Sequence, residues 1–458
     1  MTKTAMRGLG VATLVVAMGA VAIGAAAQKG YTFAVVAALG NQAPGGGDHE
    51  GDFEPQDING RGDVAFASDL AESDVFLGEG LFGRYHGTNR LIARSGDPIP
   101  GTTLFFGPFG ILSPGGMNDS GDVAFGFTLD VPFTEFGTNA AVFRYDSVKR
   151  TVFPVFLPGD PAPGGTTFRG VGFHTDLNNR GEIATVGIVD TDKGNCQDSS
   201  ATCYGLGRGV YTFDRFNRAT KIAAPGDQAP GSPKWFDDAW DPNLNNRGDV
   251  IFGGHVAGEP CGFDIDRIGC FESLYLYRAS TGQISSIVHQ GDAAPRGGNL
   301  LIAFNGRLND GGDASFIGSF DDFSNGVFLR TRKGTLVAVA RPGDSLPGGV
   351  MKNASFTQGA HAIDNAGNVA FAAQLDADVN GDGIEDTGVY VWAGGTITTV
   401  VKTGTVIPGL GTVVHVNRDF EIGTPYPWPG VHMNERGQVL TQVKLDTGVT
   451  YVVVATPK

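Results

Sequence analysis

Leu244-Asn245-Asn246-Arg247-Gly248-Asp249-Val250-Ile251-Phe252 is one copy of a phrase that recurs along the chain. Variants run from Ile58 to Phe66, Met117 to Phe125, Leu177 to Thr185, Leu308 to Phe316, Ile363 to Phe371 and Met433 to Thr441. The glycines fall at Gly62, Gly121, Gly181, Gly248, Gly312, Gly367 and Gly437, at intervals of 59, 60, 67, 64, 55 and 70 residues. A period this long and regular marks a repeat architecture. Each phrase reads as a hairpin. Asn can bond its own backbone two residues on, and Gly reaches positive φ without penalty.

Around each phrase the same order returns. A Gly-Asp-x-x-Pro-Gly turn opens the unit, as at Gly96–Gly101, Gly159–Gly164, Gly226–Gly231 and Gly343–Gly348. The copy beginning at Gly291 has Arg296 in the last position, and Asn41 and Thr405 stand for Asp in the first and last copies. An aromatic-bearing segment leads into the Asn-x-x-Gly turn, followed by a Val-Ala-Phe strand, a variable loop, and a third strand opening Gly-Val-Phe or Gly-Val-Tyr. A fourth alternating strand delivers the next Gly-Asp turn. Four short antiparallel strands per unit make one propeller blade. The last unit, from Val431 to Lys458, lacks a fourth strand, and residues 31–39 (Tyr-Thr-Phe-Ala-Val-Val-Ala-Ala-Leu) are a spare one. The expected fold is therefore all-β: a seven-bladed β-propeller closed by its N-terminal strand, with residues 28–458 as one domain. A right-handed β-solenoid has shorter turns and would not need this exchange.

Composition agrees with strands and turns. The chain has 458 residues, 71 of them Gly and 31 Phe, with 41% apolar and only 18% charged residues. Residues 1–27 place Lys3 and Arg7 before an apolar run ending Ala25-Ala26-Ala27, the pattern of a secretory signal peptide. The protein is expected to be secreted or periplasmic, monomeric and without a membrane span in the mature chain. Without Lys3 and Arg7, 31 basic residues face 48 acidic ones. That excess argues against nucleic acid as a partner. In an exported chain Cys196/Cys203 and Cys261/Cys270 are expected to form two local disulfides; their spacing is too wide for zinc knuckles.

Asn59-x-x-Gly62-x-x-Ala65-Phe66 and Asn118-x-x-Gly121-x-x-Ala124-Phe125 resemble the repeat of exported bacterial tandem-repeat proteins named for N-x-x-G-x-x-A-F, the choice-of-anchor proteins. The resemblance covers nearly the whole mature chain and implies no known catalysis. This sequence departs from the family's pattern by ending within a strand, which leaves surface attachment open.

The strongest signal outside the repeat is Asp376 to Asp386. Asp378, Asn380, Asp382 and Asp386, with Gly383 at the bend, suit a structural Ca²⁺ loop. The spacing is similar to the calcium loops of integrin-type propellers, which implies the Ile384 carbonyl as a further ligand. The calcium and cysteine loops both join second to third strands, so a binding surface is expected on the face they decorate. There Trp235, Asp237, Asp238, Trp240 and Asp241 lead into the fourth unit, and Tyr426, Trp428 and His432 into the seventh. Aromatics beside carboxylates suit a glycan, while packing between blades is the competing explanation. His174, His361 and His432 fall four, three and two positions before the repeat asparagine or its equivalent. On regular strands their side chains would point different ways, against a shared metal. No nucleophile elbow, zincin helix or phosphate loop is present. A binding or scaffold module for an extracellular glycan or protein is the first expectation. The second is a glycoside hydrolase or polysaccharide lyase using Asp237, Asp238, Asp241 or Glu50, and the third a purely structural matrix protein.

Overall fold

In the fourth unit the phrase forms the hairpin it spells. Asn245 N–H donates to the Asp249 carbonyl at 3.1 Å, Gly248 N–H donates to the Asn245 carbonyl at 3.0 Å, and Gly248 has φ 84°. The turn joins Phe236–Leu244 to Val250–Val256, and Ser273–Arg278 and Gln283–Val288 complete an antiparallel sheet in chain order. The computed structural model describes residues 30–458 apart from 74, 132–138, 194–204, 260–272, 323, 356–358 and 417–429. Every regular element among the described residues is a strand, and they form seven such sheets.

The seventh blade has the predicted composite origin. Tyr31–Ala38 pairs antiparallel with Thr450–Pro457, Tyr31 opposite Pro457 and Ala38 opposite Tyr451. The strand is also held from the first blade, where Arg84 Nη1 and Asn89 Nδ2 donate to the Val36 carbonyl at 3.0 and 2.8 Å. The innermost strands contact one another in sequence around the ring, and the seventh touches the first. No sheet is left as an open end blade. The core lies between the faces of successive blades. Ile251 of the fourth packs with Leu300, Ala303 and Phe316 of the fifth, and Phe236 stands edge-on to Tyr275 with centroids 4.8 Å apart.

The repeat asparagine does more than close its own turn. Asn59, Asn178, Asn245 and Asn309 each donate through Nδ2 to the carbonyl of the equivalent residue one blade on, at 3.0, 3.0, 3.1 and 3.0 Å. Asn434 makes the same bond across the junction of the last and first blades, donating to the Asn59 carbonyl at 2.8 Å. The following residue forms a second circuit. The backbone N–H groups of Gly60, Asp119, Asn179, Asn246, Asp310 and Asn365 donate to side-chain oxygens of Asp119, Asn179, Asn246, Asp310, Asn365 and Glu435 respectively, at 2.6–2.9 Å. Gly60 has no side chain, so it cannot take the corresponding bond from Glu435. The phrase is thus both the hairpin and the lacing between blades.

Candidate functional site

The seven inner strands run toward these turns, and the residue two positions before the repeat asparagine or its equivalent is Asp57, Gly116, Asp176, Asn243, Arg307, Ala362 or His432. All seven line one axial cavity of about 240 Å³, together with His174 and His361. Three members of this ring are held by backbone. Asp57 Oδ2 accepts from Met117 N–H at 2.7 Å, Asp176 Oδ2 from Leu244 N–H at 2.7 Å, and Asn243 Oδ1 from Leu308 N–H at 2.7 Å. Each ties one blade to the next. Gly116 is required beside them, since a Cβ there would lie 2.6 Å from Asp176 Oδ1.

Alternation along a regular strand would send His174, His361 and His432 to different sides, yet all three line this cavity. Bulges and breaks change the phase. The register of the third inner strand slips between Val171 and Thr175, and that of the fourth between Trp240 and Asn243. His174 and Asp241 occupy these bulges in left-handed conformation, with φ 73° and 51°. Such backbone is uncommon for residues with a side chain and clusters where the fold re-aims one. In the sixth unit the inner strand is split into Gly349–Ala354 and His361–Ile363.

The re-aimed groups meet across blades. His174 Nδ1 lies 2.9 Å from Asp241 Oδ1, and Arg307 Nη1 lies 3.7 Å from the same oxygen. His432 Nε2 donates to the Pro55 carbonyl at 3.1 Å, while its Nδ1 lies 3.8 Å from Asp57 Oδ1. His174 Nε2, both ring nitrogens of His361 and both Asp241 carboxylate oxygens are buried and outside hydrogen-bond geometry with any described group. A domain rarely leaves this many buried polar atoms unsatisfied in one place.

Burial sets the charges. It raises the Asp57 carboxyl to about 7, against the opposing bond from Met117 N–H, and it also raises Asp176. It lowers His361 and His432 to about 3, helped by the Arg307 charge, so both imidazoles are neutral at physiological pH. Burial would raise Asp241 as well, but His174, Arg307 and His361 hold it below its ordinary value. The cavity therefore presents the neutral imidazoles of His361 and His432 beside the Arg307 guanidinium, with the Asp57 carboxyl titrating at about 7. Among the described residues no group of three or more His, Cys, Asp or Glu side chains is arranged to hold a metal ion.

The residues singled out on the decorated face are dispersed. Trp235 is exposed, with Lys193 Nζ 5.6 Å from its ring centroid. Trp240 is buried against Phe173 and under the Arg208 guanidinium, 4.2 Å from the ring centroid. Asp237 lies 2.6 Å from His255 Nδ1, and Asp238 pairs with Arg208. Glu50 is exposed. Tyr426 and Trp428 lie outside the described residues. So do Cys196, Cys203, Cys261 and Cys270, and with them both expected disulfides, Cys196 to Cys203 and Cys261 to Cys270. Of the five expected ligand-binding residues that are described, His432 alone lines the axial cavity. Asp57, Asp176, Asn243 and Arg307 were missed because no single repeat marks them. Aligning the seven repeats on their asparagines puts all four in one column.

The loop after Val369–Leu375 is shaped by its own carboxylates. Asp378 accepts from Gly381, Asp382 and Gly383 N–H at 2.8, 3.2 and 3.0 Å, and Asp382 Oδ1 accepts from Ile384 N–H at 2.8 Å. Asn380 Nδ2 and His415 Nε2 approach Asp382 Oδ2 at 2.9 and 3.1 Å, and Asp386 accepts from Val379 N–H at 3.2 Å. Burial and then the neighbouring Asp378 and Asp382 charges raise the Asp386 carboxyl.

Fold and cavity together define a seven-bladed β-propeller with a polar axial site. The chain belongs to a family described as being of unknown function (DUF7453), matched over residues 15–320 and 254–451. No curated protein matches it. Among solved structures it is similar to an oligogalacturonate lyase from Vibrio parahaemolyticus, at 11% identity and TM-score 0.50, covering 94% of this chain and 98% of that one. A Trypanosoma rangeli sialidase in complex with sialic acid gives 10% identity and TM-score 0.38, over 93% of this chain and 59% of that one. A gluconolactonase from Xanthomonas campestris gives 10% identity and TM-score 0.32, over 95% and 99%. At these identities the likeness is one of fold.

Proposed function

We propose that this is an exported propeller that binds a saccharide in its axial cavity. The carrying observation is the set of buried ring nitrogens without partners on two histidines that line it, His174 and His361, with Asp241 behind them 2.9 Å from His174. The neutral His361 imidazole offers one donor and one acceptor, matching hydroxyl groups better than it matches an ion. A volume of about 240 Å³ is below the usual range for drug-sized ligands, so the cavity suits one sugar unit at the end of a chain. The similar propeller that acts on an oligogalacturonate supports saccharide chemistry on this fold without assigning it here. A glycan array followed by calorimetric titration tests the proposal. Binding that is lost in His361→Ala supports it, and the absence of saccharide binding overturns it.

Calcium belongs to the same proposal as a structural ion. The donor set of Asp378, Asn380, Asp382, Asp386 and the Ile384 carbonyl is all oxygen, as Ca²⁺ prefers. Binding would require Asp378 and Asp382 to exchange backbone bonds for the ion. Absence of Ca²⁺ heat with the metal-free protein, or heat unchanged in Asp382→Ala, removes the calcium proposal and leaves the cavity reading intact.

A further inference from the structure

We infer that His174 is a Brønsted base toward the axial ligand, and that this ligand is a uronate-bearing saccharide cleaved by β-elimination. The inference rests on the saccharide reading above and names its chemistry. Asp241 Oδ1, which has no other hydrogen-bond partner, lies 2.9 Å from His174 Nδ1, so a small turn of the ring places the Nδ1 proton on it. The lone pair is then on Nε2, which is buried, unpartnered and part of a side chain that lines the cavity. A base held by a carboxylate, with its other nitrogen toward the ligand, is the arrangement that proton abstraction needs. A purely structural histidine would leave that nitrogen satisfied, because an unmet buried acceptor costs stability. Both partners also occupy left-handed bulges on neighbouring blades, which regular pairing would have avoided.

Arg307 selects the ligand class. It reaches the same Asp241 oxygen at 3.7 Å, so base and cation flank one atom. Its Nη1 donates to the Gly306 carbonyl at 3.1 Å, while Nε and Nη2 make no hydrogen bond among the described residues. A planar guanidinium with donors to spare suits a carboxylate. Held there, a uronate carboxylate has the charge that develops beside it in the transition state stabilised by Arg307. His174 Nε2 takes the proton from the carbon next to the carboxylate. That electron pair forms a carbon–carbon double bond to the adjacent carbon, and the bond from that carbon to the glycosidic oxygen breaks. The leaving oxygen takes a proton from water or from Asp57, which lines the same cavity. The products are an unsaturated uronate and a shortened saccharide, with no oxidant or reductant consumed.

The test uses the full mature chain with oligogalacturonate, alginate and hyaluronan oligosaccharides. It reads the ultraviolet absorbance of the conjugated double bond, and binding by calorimetry. His174→Asn is the chosen variant because Asn tolerates left-handed backbone but is not a base. The expected result is unsaturated product from one uronate, slowed about 10²- to 10⁴-fold in His174→Asn with binding retained. Arg307→Gln is expected to abolish uronate binding, and Arg307→Lys, which keeps a cation beside Asp241, to weaken it less. Uronate binding without unsaturated product, or an unchanged rate in His174→Asn, overturns the inference and leaves the saccharide reading standing. Binding of neutral glycans alone has the same effect. Failure of every saccharide to bind overturns the reading beneath it.

Discussion

The lacing of the blades can be tested by exchanging two residues within one repeat. Six copies of the phrase carry Asn at the second position, but the sixth in order has Asp364, and its partner four residues on is Asn368 rather than Asp, Glu or Gln. There the donor and acceptor are reversed, with Asn368 Nδ2 donating to Asp364 Oδ2 at 2.7 Å. In the fifth blade Asn309 Nδ2 approaches Asp313 Oδ2 at 3.4 Å and donates to the Asp364 carbonyl at 3.0 Å. Asn309→Asp should lose the inter-blade bond, at about 1 kcal/mol. It also sets two carboxylates face to face, at roughly 2–4 kcal/mol for a partly buried pair at an effective dielectric near 20. The expected loss is about 3–5 kcal/mol by the same principles. Adding Asp313→Asn removes the repulsion while its remaining oxygen can still accept from Arg332 N–H, bonded now at 2.7 Å. The double variant should therefore recover all but about 1 kcal/mol, giving a large favourable coupling. Urea unfolding followed by tryptophan fluorescence measures this. A single variant within about 1 kcal/mol of wild type, or a double variant no better than the single, would refute the reasoning.

Other expectations follow from the same structure. The Asp57 carboxyl is raised in the folded chain, so the unfolded chain binds fewer protons between its ordinary value near 4 and about 7. That contribution is present at low pH and lost as pH rises through about 7, on the order of 4 kcal/mol; Asp57→Asn should flatten stability against pH in this window. His432 is lowered to about 3, so its contribution has the opposite sign, present above the ordinary histidine value and lost as pH falls toward 3. His432→Gln should remove that loss in acid melts. Trp240→Ala should cost about 3–5 kcal/mol because its ring is buried, whereas Trp235→Ala should change stability by less than about 0.5 kcal/mol. Deleting residues 28–38 should lower the Tm, and a peptide spanning Tyr31–Ala38 should restore part of the loss, because that strand completes the seventh blade.

Blade number and the closing strand were legible in the sequence because both depend on local rules. Gly248 must reach φ 84°, and a phrase that demands this seven times counts the hairpins. The role of the asparagines between blades was not legible, since Asn245 to Asn309 is a contact across 64 residues whose direction only the closed ring defines. The cavity was hidden for a different reason. Strand periodicity assumes an unbroken register, and the bulges at His174 and Asp241 invalidate it where polar side chains turn inward. The sequence pointed to the decorated loops, where repetition fails visibly. The structure adds a cavity along the inner strands near the repeat turns, where Arg307 and Asp176 differ from Gly116 and Ala362 at equivalent positions.

The central claim is that the axial cavity, and not the exposed Trp235 on the decorated face, holds the ligand. Calorimetric titration of the best array saccharide into wild type, His361→Ala and Trp235→Ala tests it most directly. The account predicts binding abolished in His361→Ala and unchanged in Trp235→Ala. Unchanged binding in His361→Ala together with loss in Trp235→Ala would contradict it.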